Sequence, residues 1–400
     1  MNETEIAVIG GGPAGAALAA RLARAGHETV LFERLPRPRW RACGVYTSPL
    51  TRRRLLDLGL PPSETDRLIR PISAMVVAMA DGSASCRLEY GPPHACGVDR
   101  VSLEERLLGL ARASGATVYE GTPLIQLDLA ERRPRLTVSG AAGARLWQAD
   151  LVVGADGPSS LVARAAGVAQ PSRRLRRAAL TVHRADPSAA PAGMPMEAEM
   201  VLGAGWYCGI APVPGGRVNV GLVLGESVLR RELRAGGGPG GVLAHRLDLL
   251  PGRRRSWADA PATDRLQAAL PLAHRVRRAA GRNFLLVGDA AGFLDPLSGE
   301  GLQRALCSAE LAAEAVGRRS AGDRTALGGY EGRLRSRFRG KDVLSWLLQG
   351  FLGQPALARH ALRNLARQTG ERESFALALA DMLPSSRVLD PRFLARVLAR

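Results

Sequence analysis

The chain has 400 residues, too many for one ordinary hydrophobic core, and its 46% hydrophobic and 23% charged content excludes a disordered protein. The formal net charge is +18, with Lys341 the only lysine among 55 basic residues. Aromatic residues make up just 4% and form no stacking platform between basic stretches, so a nucleic-acid partner is not expected. Five widely spaced cysteines without a C-x-x-C pair predict reduced thiols in a cytoplasmic protein. Six histidines without ligand spacing predict no metal site. The start MNETEIAVIG lacks the basic end of a signal peptide, and no apolar run reaches about 18 residues. A soluble chain with at most peripheral membrane contact is therefore expected.

The first element is the clearest. In IAVIGGGPAGAALAARLARAGHETVLFER (6–34), Ile6 to Ile9 reads as a short buried strand. Gly10, Gly12 and Gly15 then form G-x-G-x-x-G, with Pro13 and Ala14 inside the turn. An alanine-rich helix runs to about Ala25, where Gly26 ends it. Gly10 permits a tight turn, Gly12 lets a pyrophosphate approach the backbone, and Gly15 lets helix and strand pack closely. The helix amino terminus offers free N–H groups to phosphate. The second strand ends at Glu33, 18 residues after Gly15, where a carboxylate can accept from both hydroxyls of an adenosine ribose. It would repel a 2′-phosphate, so FAD or NAD fits and NADP does not.

Further along, PISAMVVAMADGSASCRLEY (71–90) carries strand-like patterns, and ADLVVGADGPSSLVARAAG (149–167) reads as strand, Asp156-Gly157 turn and serine-capped helix. AALTVHR, MEAEMVL, WYCGIAPV and RVNVGLVL (178 onward) read as an antiparallel sheet. RNFLLVGDAAGFLDPLSGEG (282–301) is a strand followed by Gly288-Asp289 and a turn with glycines at 292, 299 and 301. The glycines at 288, 292, 299 and 301 are expected to clear the turn so that a large polar ligand meets backbone and one carboxylate. From 302 the pattern is helical, with breaks near Gly317–Gly322, Gly353–Pro355 and Pro384. VLSWLLQGFL (343–352) reads as a core helix, or as a lid or wall of a substrate tunnel, or as a surface that touches membrane. Arginine-rich stretches at 52–54, 173–177 and 253–255 are expected on exposed loops or helix faces.

The three motifs, in this order, resemble the FAD fingerprints of the superfamily of aromatic hydroxylases and geranylgeranyl reductases. The resemblance covers about 1–325 and implies FAD held by the first motif, with Arg34 beside Glu33. Asp156-Gly157 is similar to the family's Asp-Gly element, linked to nicotinamide nucleotide use. By the same resemblance Asp289 faces the flavin ribityl chain and Pro296 to Gly301 faces the isoalloxazine ring. Arg100 matches an arginine near the flavin–phosphate linker, and Arg41 and Cys43 in RACG match an element bordering the flavin. The implied fold is α/β, a Rossmann-like FAD-binding domain of glutathione-reductase type interleaved with an antiparallel-sheet substrate domain, plus C-terminal helices. The segments are 1–70, 95–170 and 270–325 for FAD, 71–94 and 171–269 for substrate, and 326–400 for the helical region.

Three reactions are open to such a flavoprotein. Flavin halogenases carry a lysine near the substrate and W-x-W-x-I-P; here the sole lysine is Lys341 and the stretch reads WYCGIAP, so halogenation is not expected. Aromatic hydroxylases typically have histidine where Gly292 stands, and geranylgeranyl reductases continue Cys-Gly-Gly where Gly44-Val45-Tyr46 stands. The expectation is an NAD(P)H-driven monooxygenase of a hydrophobic aromatic or polyketide-like substrate, with oxygen added to the reduced flavin as a hydroperoxide. The alternative is reduction of C=C bonds in an isoprenoid or lipid; a flavin electron carrier or non-catalytic binding protein is more remote. Cys43, Tyr46, Trp206, Tyr207 and Cys208 are the candidate pocket residues.

Overall fold

The computed structural model describes residues 1–140, 143–171, 176–188, 190–191, 193–250 and 255–399. The first strand is longer than the apolar run suggests, spanning Asn2–Ile9, and its inner half is buried on both faces. It pairs in parallel with Thr29–Phe32 and with the distal part of Gly143–Gly154. Thr117–Tyr119 and Phe284–Leu286 extend the same parallel sheet at its two sides. Helices Pro13–Arg24, Arg100–Ala113 and Gly301–Ser320 cover one face through Leu18, Leu22, Leu103, Leu107 and Leu306. On the other face, Leu124–Asp128, Arg135–Gly140 and the start of Gly143–Gly154 form an antiparallel meander. There Trp147 meets Phe32 edge-on at 5.3 Å, and Tyr119 stacks on Phe32 at 5.6 Å.

A second sheet of nine strands carries the four expected strands, now placed at Arg177–Ala185, Met196–Gly203, Trp206–Val213 and Arg217–Gly225. It is not wholly antiparallel, because Ile69–Met79 runs parallel to Met196–Gly203. Tyr46–Thr47 and Ala95–Val98 also pair in this sheet, although both fall in segments assigned from the sequence to the cofactor part. Gly97 explains the second case. A Cβ there would lie 1.7 Å from the Pro212 carbonyl oxygen, so only glycine lets this short strand press against the neighbouring backbone. The chain thus crosses between the two sheets more often than its pattern suggests.

The C-terminal helices span Gly301–Ser320, Ala326–Leu352, Pro355–Arg367, Thr369–Leu379 and Pro391–Leu398. In the 343–352 run, Leu344 and Leu352 are buried while Val343 and Trp346 are 48% and 41% exposed, so one face packs and the other meets solvent. Among the described residues no helix is long and apolar enough to cross a membrane. Of the arginine-rich stretches, 173–175 and 253–254 lie outside the described residues. Arg54 is not a free surface charge but pairs with Glu310, and Arg177 turns inward toward Asp295.

Candidate cofactor and substrate cavity

A cavity of about 680 Å³ lies between the two sheets. At one end the first turn has the geometry its glycines demand. Gly10 has φ +106°, and a Cβ would meet the Ala155 carbonyl oxygen at 2.4 Å. A Cβ at Gly15 would lie 1.9 Å from the Gly10 carbonyl oxygen, so Gly15 serves helix–strand packing and does not line the cavity. Gly12 is different: nothing of the protein lies within 4 Å of a Cβ there, and Gly12 borders the cavity. The space beside it opens into the cavity.

Glu33 follows the second strand and is 6% exposed. Its Oε2 accepts from the Gly11 N–H at 2.6 Å and its Oε1 from the Leu35 N–H at 2.9 Å. Each oxygen keeps a lone pair, so the backbone orients the carboxylate without exhausting it. Asp156 divides its oxygens in a similar way. Oδ2 accepts from the Leu161 N–H at 2.6 Å, while buried Oδ1 has no partner. Ser160 caps the same helix by accepting from the Ala163 N–H. Gly157, at φ +78°, has open space around a Cβ position.

Toward the middle, Glu104 clamps two arginines. It accepts from Arg100 Nη2 and from Arg41 Nη2, both at 2.8 Å. Arg100 Nη1 reaches Cys43 Sγ at 3.1 Å, and Arg100 Nε is buried without a partner. Burial pushes the Cys43 thiol up, against the opposing pull of Arg100. Burial also raises the Asp289 carboxyl, with Arg100 and Arg304 acting the other way. Arg34, Pro13, Ala14, Asp289 and Gly301 all line this stretch.

The glycines of the 288–301 turn do more than open space, and one of them lies away from the main cavity. Gly288, at φ +57°, packs so that a Cβ would meet Ala14 Cβ at 2.8 Å; Gly299, at φ +66°, would meet Tyr46 Cδ1 at 2.3 Å. Both make room for protein neighbours and, with Gly301, also line the cavity. Gly292 lines a second cleft, shared with Arg304 and Trp346, and not the main cavity. Pro296 and Leu297 form the roof opposite the second sheet.

The sheet supplies the floor through Tyr207, Gly209 and Ala211 on one strand and Asn219, Gly221 and Val223 on the next. Tyr207 donates to Asp295 Oδ1 at 2.5 Å, and Arg177 Nε stands 3.8 Å from Oδ2. Burial raises both the Tyr207 hydroxyl and the Asp295 carboxyl. Trp206 and Cys208, expected in the pocket, face the other way and pack with Leu229, Val242, Leu243 and Leu247. Strand alternation decides this: Tyr207 looks in, so its neighbours look out. Tyr46 and Cys43 do line the cavity.

Sequence reading missed Glu104, Thr181, Asn219 and Asp295. Glu104 stands four residues after Arg100 on one helix, a spacing that could have revealed it. Asn219 interrupts the apolar strand RVNVGLVL two residues before Gly221. Thr181 and Asp295 carry no such signal.

Residues 3–218 match the model of a family described as FAD binding domain. The chain is 30% identical over 330 residues to a menaquinone reductase of Mycolicibacterium smegmatis, covering 78% of this chain and 76% of that protein. A 3-amino-4-hydroxybenzoate 2-monooxygenase of Streptomyces cremeus is 31% identical over 249 residues, 60% of each chain. The fold matches a geranylgeranyl bacteriochlorophyll reductase-like protein of Thermoplasma acidophilum with a TM-score of 0.80 at 20% identity, over 98% of this chain and 99% of the other. The space at Gly12, the spare lone pairs of Glu33, the unpartnered Asp156 Oδ1 and the buried Arg100 Nε all fit a bound dinucleotide. The chain belongs to the FAD-binding-domain family and is a FAD-dependent oxidoreductase of the aromatic hydroxylase and geranylgeranyl reductase superfamily.

Proposed function

We propose that the protein reduces a carbon–carbon double bond in a hydrophobic, isoprenoid-bearing substrate, with electrons supplied by NADPH or NADH. The observation that carries this reading is the extent of likeness. The match to the menaquinone reductase spans 78% of the chain, against 60% for the monooxygenase, at nearly equal identity. This shifts the balance from the oxygenation that the sequence suggested. The cavity-lining site residues keep their expected assignments as part of the proposal: Gly10, Gly12, Pro13, Ala14, Glu33, Arg34, Arg41, Arg100, Asp156, Gly157, Gly288, Asp289, Pro296, Gly299 and Gly301 hold FAD.

Bound FAD supplies hydride chemistry, and the protein supplies position and polarity. Glu33 and the Gly12 turn hold the adenosine end. Glu104 keeps Arg41 and Arg100 extended toward the phosphate linker. Reduction of a C=C bond needs a proton on the second carbon. Cys43 Sγ lines the cavity, and burial keeps its thiol protonated at neutral pH. We assign it that proton. Met75, Met200, Val223, Leu272 and Leu297 keep water from the substrate. Halogenation has less support, because Lys341 is locked onto Glu300 and the Ala378 carbonyl, outside the cavity.

A second reading, monooxygenation of an aromatic substrate, draws on the Streptomyces relative and on the cavity-facing Tyr46 and Tyr207. One experiment separates them. The FAD-loaded protein is incubated with NADPH or NADH and menaquinone or an extracted isoprenoid lipid, and products are weighed by mass spectrometry. A gain of two hydrogens, lost in Cys43→Ala, supports reduction. A gain of one oxygen sinks it in favour of the second reading.

A further inference from the structure

Gly209 and Gly221 stand directly opposite each other on neighbouring strands in the middle of the cavity floor. Neither adopts a positive φ. A Cβ at Gly221 would meet nothing closer than Thr181 Cγ2 at 3.6 Å, with Asn219 Nδ2 at 3.7 Å and the Gly209 carbonyl oxygen at 3.9 Å. At Gly209 it would meet only Met200, at 3.5 Å and beyond. The protein itself therefore does not require glycine at either position. Glycine inside a strand weakens the sheet, and it recurs where a ligand must approach the backbone closely. Two side by side leave bare backbone across two strands spaced about 4.8 Å apart, enough for a flat ring.

One edge of that bare patch is polar. Thr181 pairs opposite Gly221, and Asn219 lies two residues from Gly221 on the same face. They are 3% and 4% exposed, and both line the cavity. Thr181 Oγ1 and Asn219 Oδ1 have no hydrogen-bond partner. Buried polar atoms are nearly always satisfied, and two orphans side by side facing a cavity call for a ligand group. Asn219 Oδ1 only accepts, so the matching group is a hydrogen-bond donor, and on a flat ring the simplest is a hydroxyl. The opposite edge, on the two strands beyond Gly209, is apolar, formed by Met200 and Met75.

We propose that the floor is a ring platform: a planar phenol- or hydroquinol-type ring lies on Gly209 and Gly221, its hydroxyl donating to Asn219 Oδ1 beside Thr181. This deepens the proposed function and rests on its placing of substrate over the second sheet. It names the ring hydroxyl as the feature recognised, whatever bond reacts.

The test is binding to the FAD-loaded protein without reductant, so no turnover is read. A naphthol and its methyl ether share one flat ring and differ in the donor. Both are titrated by calorimetry, with flavin absorbance reporting FAD content. The naphthol is expected to bind about tenfold more tightly than the ether. Asn219→Leu with Thr181→Val should bring naphthol down to the ether's affinity while FAD content stays full. Gly221→Val should exclude both ligands. Equal wild-type affinity for naphthol and ether overturns the proposal, and so does a preference that survives the double substitution or tight binding in Gly221→Val. A preparation that adds oxygen to its substrate yet shows the naphthol preference would defeat the reductase reading and leave the platform standing.

Discussion

Gly12 and Gly15 sit three residues apart in one motif, yet the reasons for them differ. A side chain at Gly12 has open space and an ordinary extended backbone, so Gly12→Val should fold as well as wild type. The methyls would occupy ligand space, and FAD affinity should fall about a hundredfold, near 2.7 kcal/mol. Gly15→Ala forces a Cβ onto the Gly10 carbonyl and should instead destabilise the fold, by about 1–3 kcal/mol. Thermal unfolding of the apoprotein beside flavin titration separates the two effects. Tyr207 offers a second residue-scale test, with a pH signature. Asp295 titrates above its usual range because it is buried, and the Tyr207 hydroxyl opposes that rise. A raised carboxyl contributes fully below its unfolded value and loses stability as pH climbs through its folded one. Tyr207→Phe removes the donor and raises Asp295 further. The variant should lose about 1–3 kcal/mol at neutral pH and progressively less in acid, read by urea unfolding across pH.

At the scale of elements, the strand Trp206–Val213 shows why inward and outward residues could not be told apart. WYCGIAPV is apolar throughout because both faces are covered, Tyr207 by the cavity side and Trp206 and Cys208 by helices. With no alternation of polarity, the sequence carries no phase. The neighbouring strand does carry one, since Asn219 and Gly221 mark every second position. Another element contact lends itself to test. Asp81, in the turn after Ile69–Met79, accepts from the Ser83 hydroxyl, from the Ser83 N–H at 3.0 Å and from Arg359 Nη2 of helix Pro355–Arg367 at 2.8 Å. These donors hold its carboxyl down at about 2. A depressed carboxyl stabilises above its unfolded value near 3.8, and the contribution vanishes as pH falls through about 2. Asp81→Asn should therefore speed hydrogen exchange in Pro355–Arg367 at neutral pH. The difference from wild type should close as pH approaches 2.

Across the whole molecule, the single lysine joins distant parts of the chain. Lys341, 4% exposed, reaches Glu300 Oε1 at 2.5 Å and donates to the Ala378 carbonyl at 2.7 Å, with Asp381 Oδ1 at 3.8 Å. Glu300 immediately precedes the helix behind the 288–301 turn, so a C-terminal helix anchors this wall of the cavity. Lys341→Met would strand the Glu300 carboxylate in a poorly solvated site, while Asp381 keeps Arg337 at 2.7 Å. A loss of about 3–5 kcal/mol in denaturant unfolding is expected. Protonation of Glu300, which burial already raises, should soften that loss at low pH. The excess of arginine is likewise less free than composition suggests. Arg54, Arg100, Arg304 and Arg337 are committed to Glu310, Glu104, Asp342 and Asp381.

By itself the sequence determined the dinucleotide turn, the order of the three motifs and the FAD-dependent class. Those rest on local geometry: a glycine at φ +106°, a carboxylate ending a strand, an acid after FLLV. Only the tertiary structure decided which strand faces look inward and that Gly288 and Gly299 make room for Ala14 and Tyr46. It alone joined Thr181, Asn219 and the two floor glycines into one surface. Such facts depend on residues from separate strands meeting across a fold, and no local pattern records who the neighbours will be.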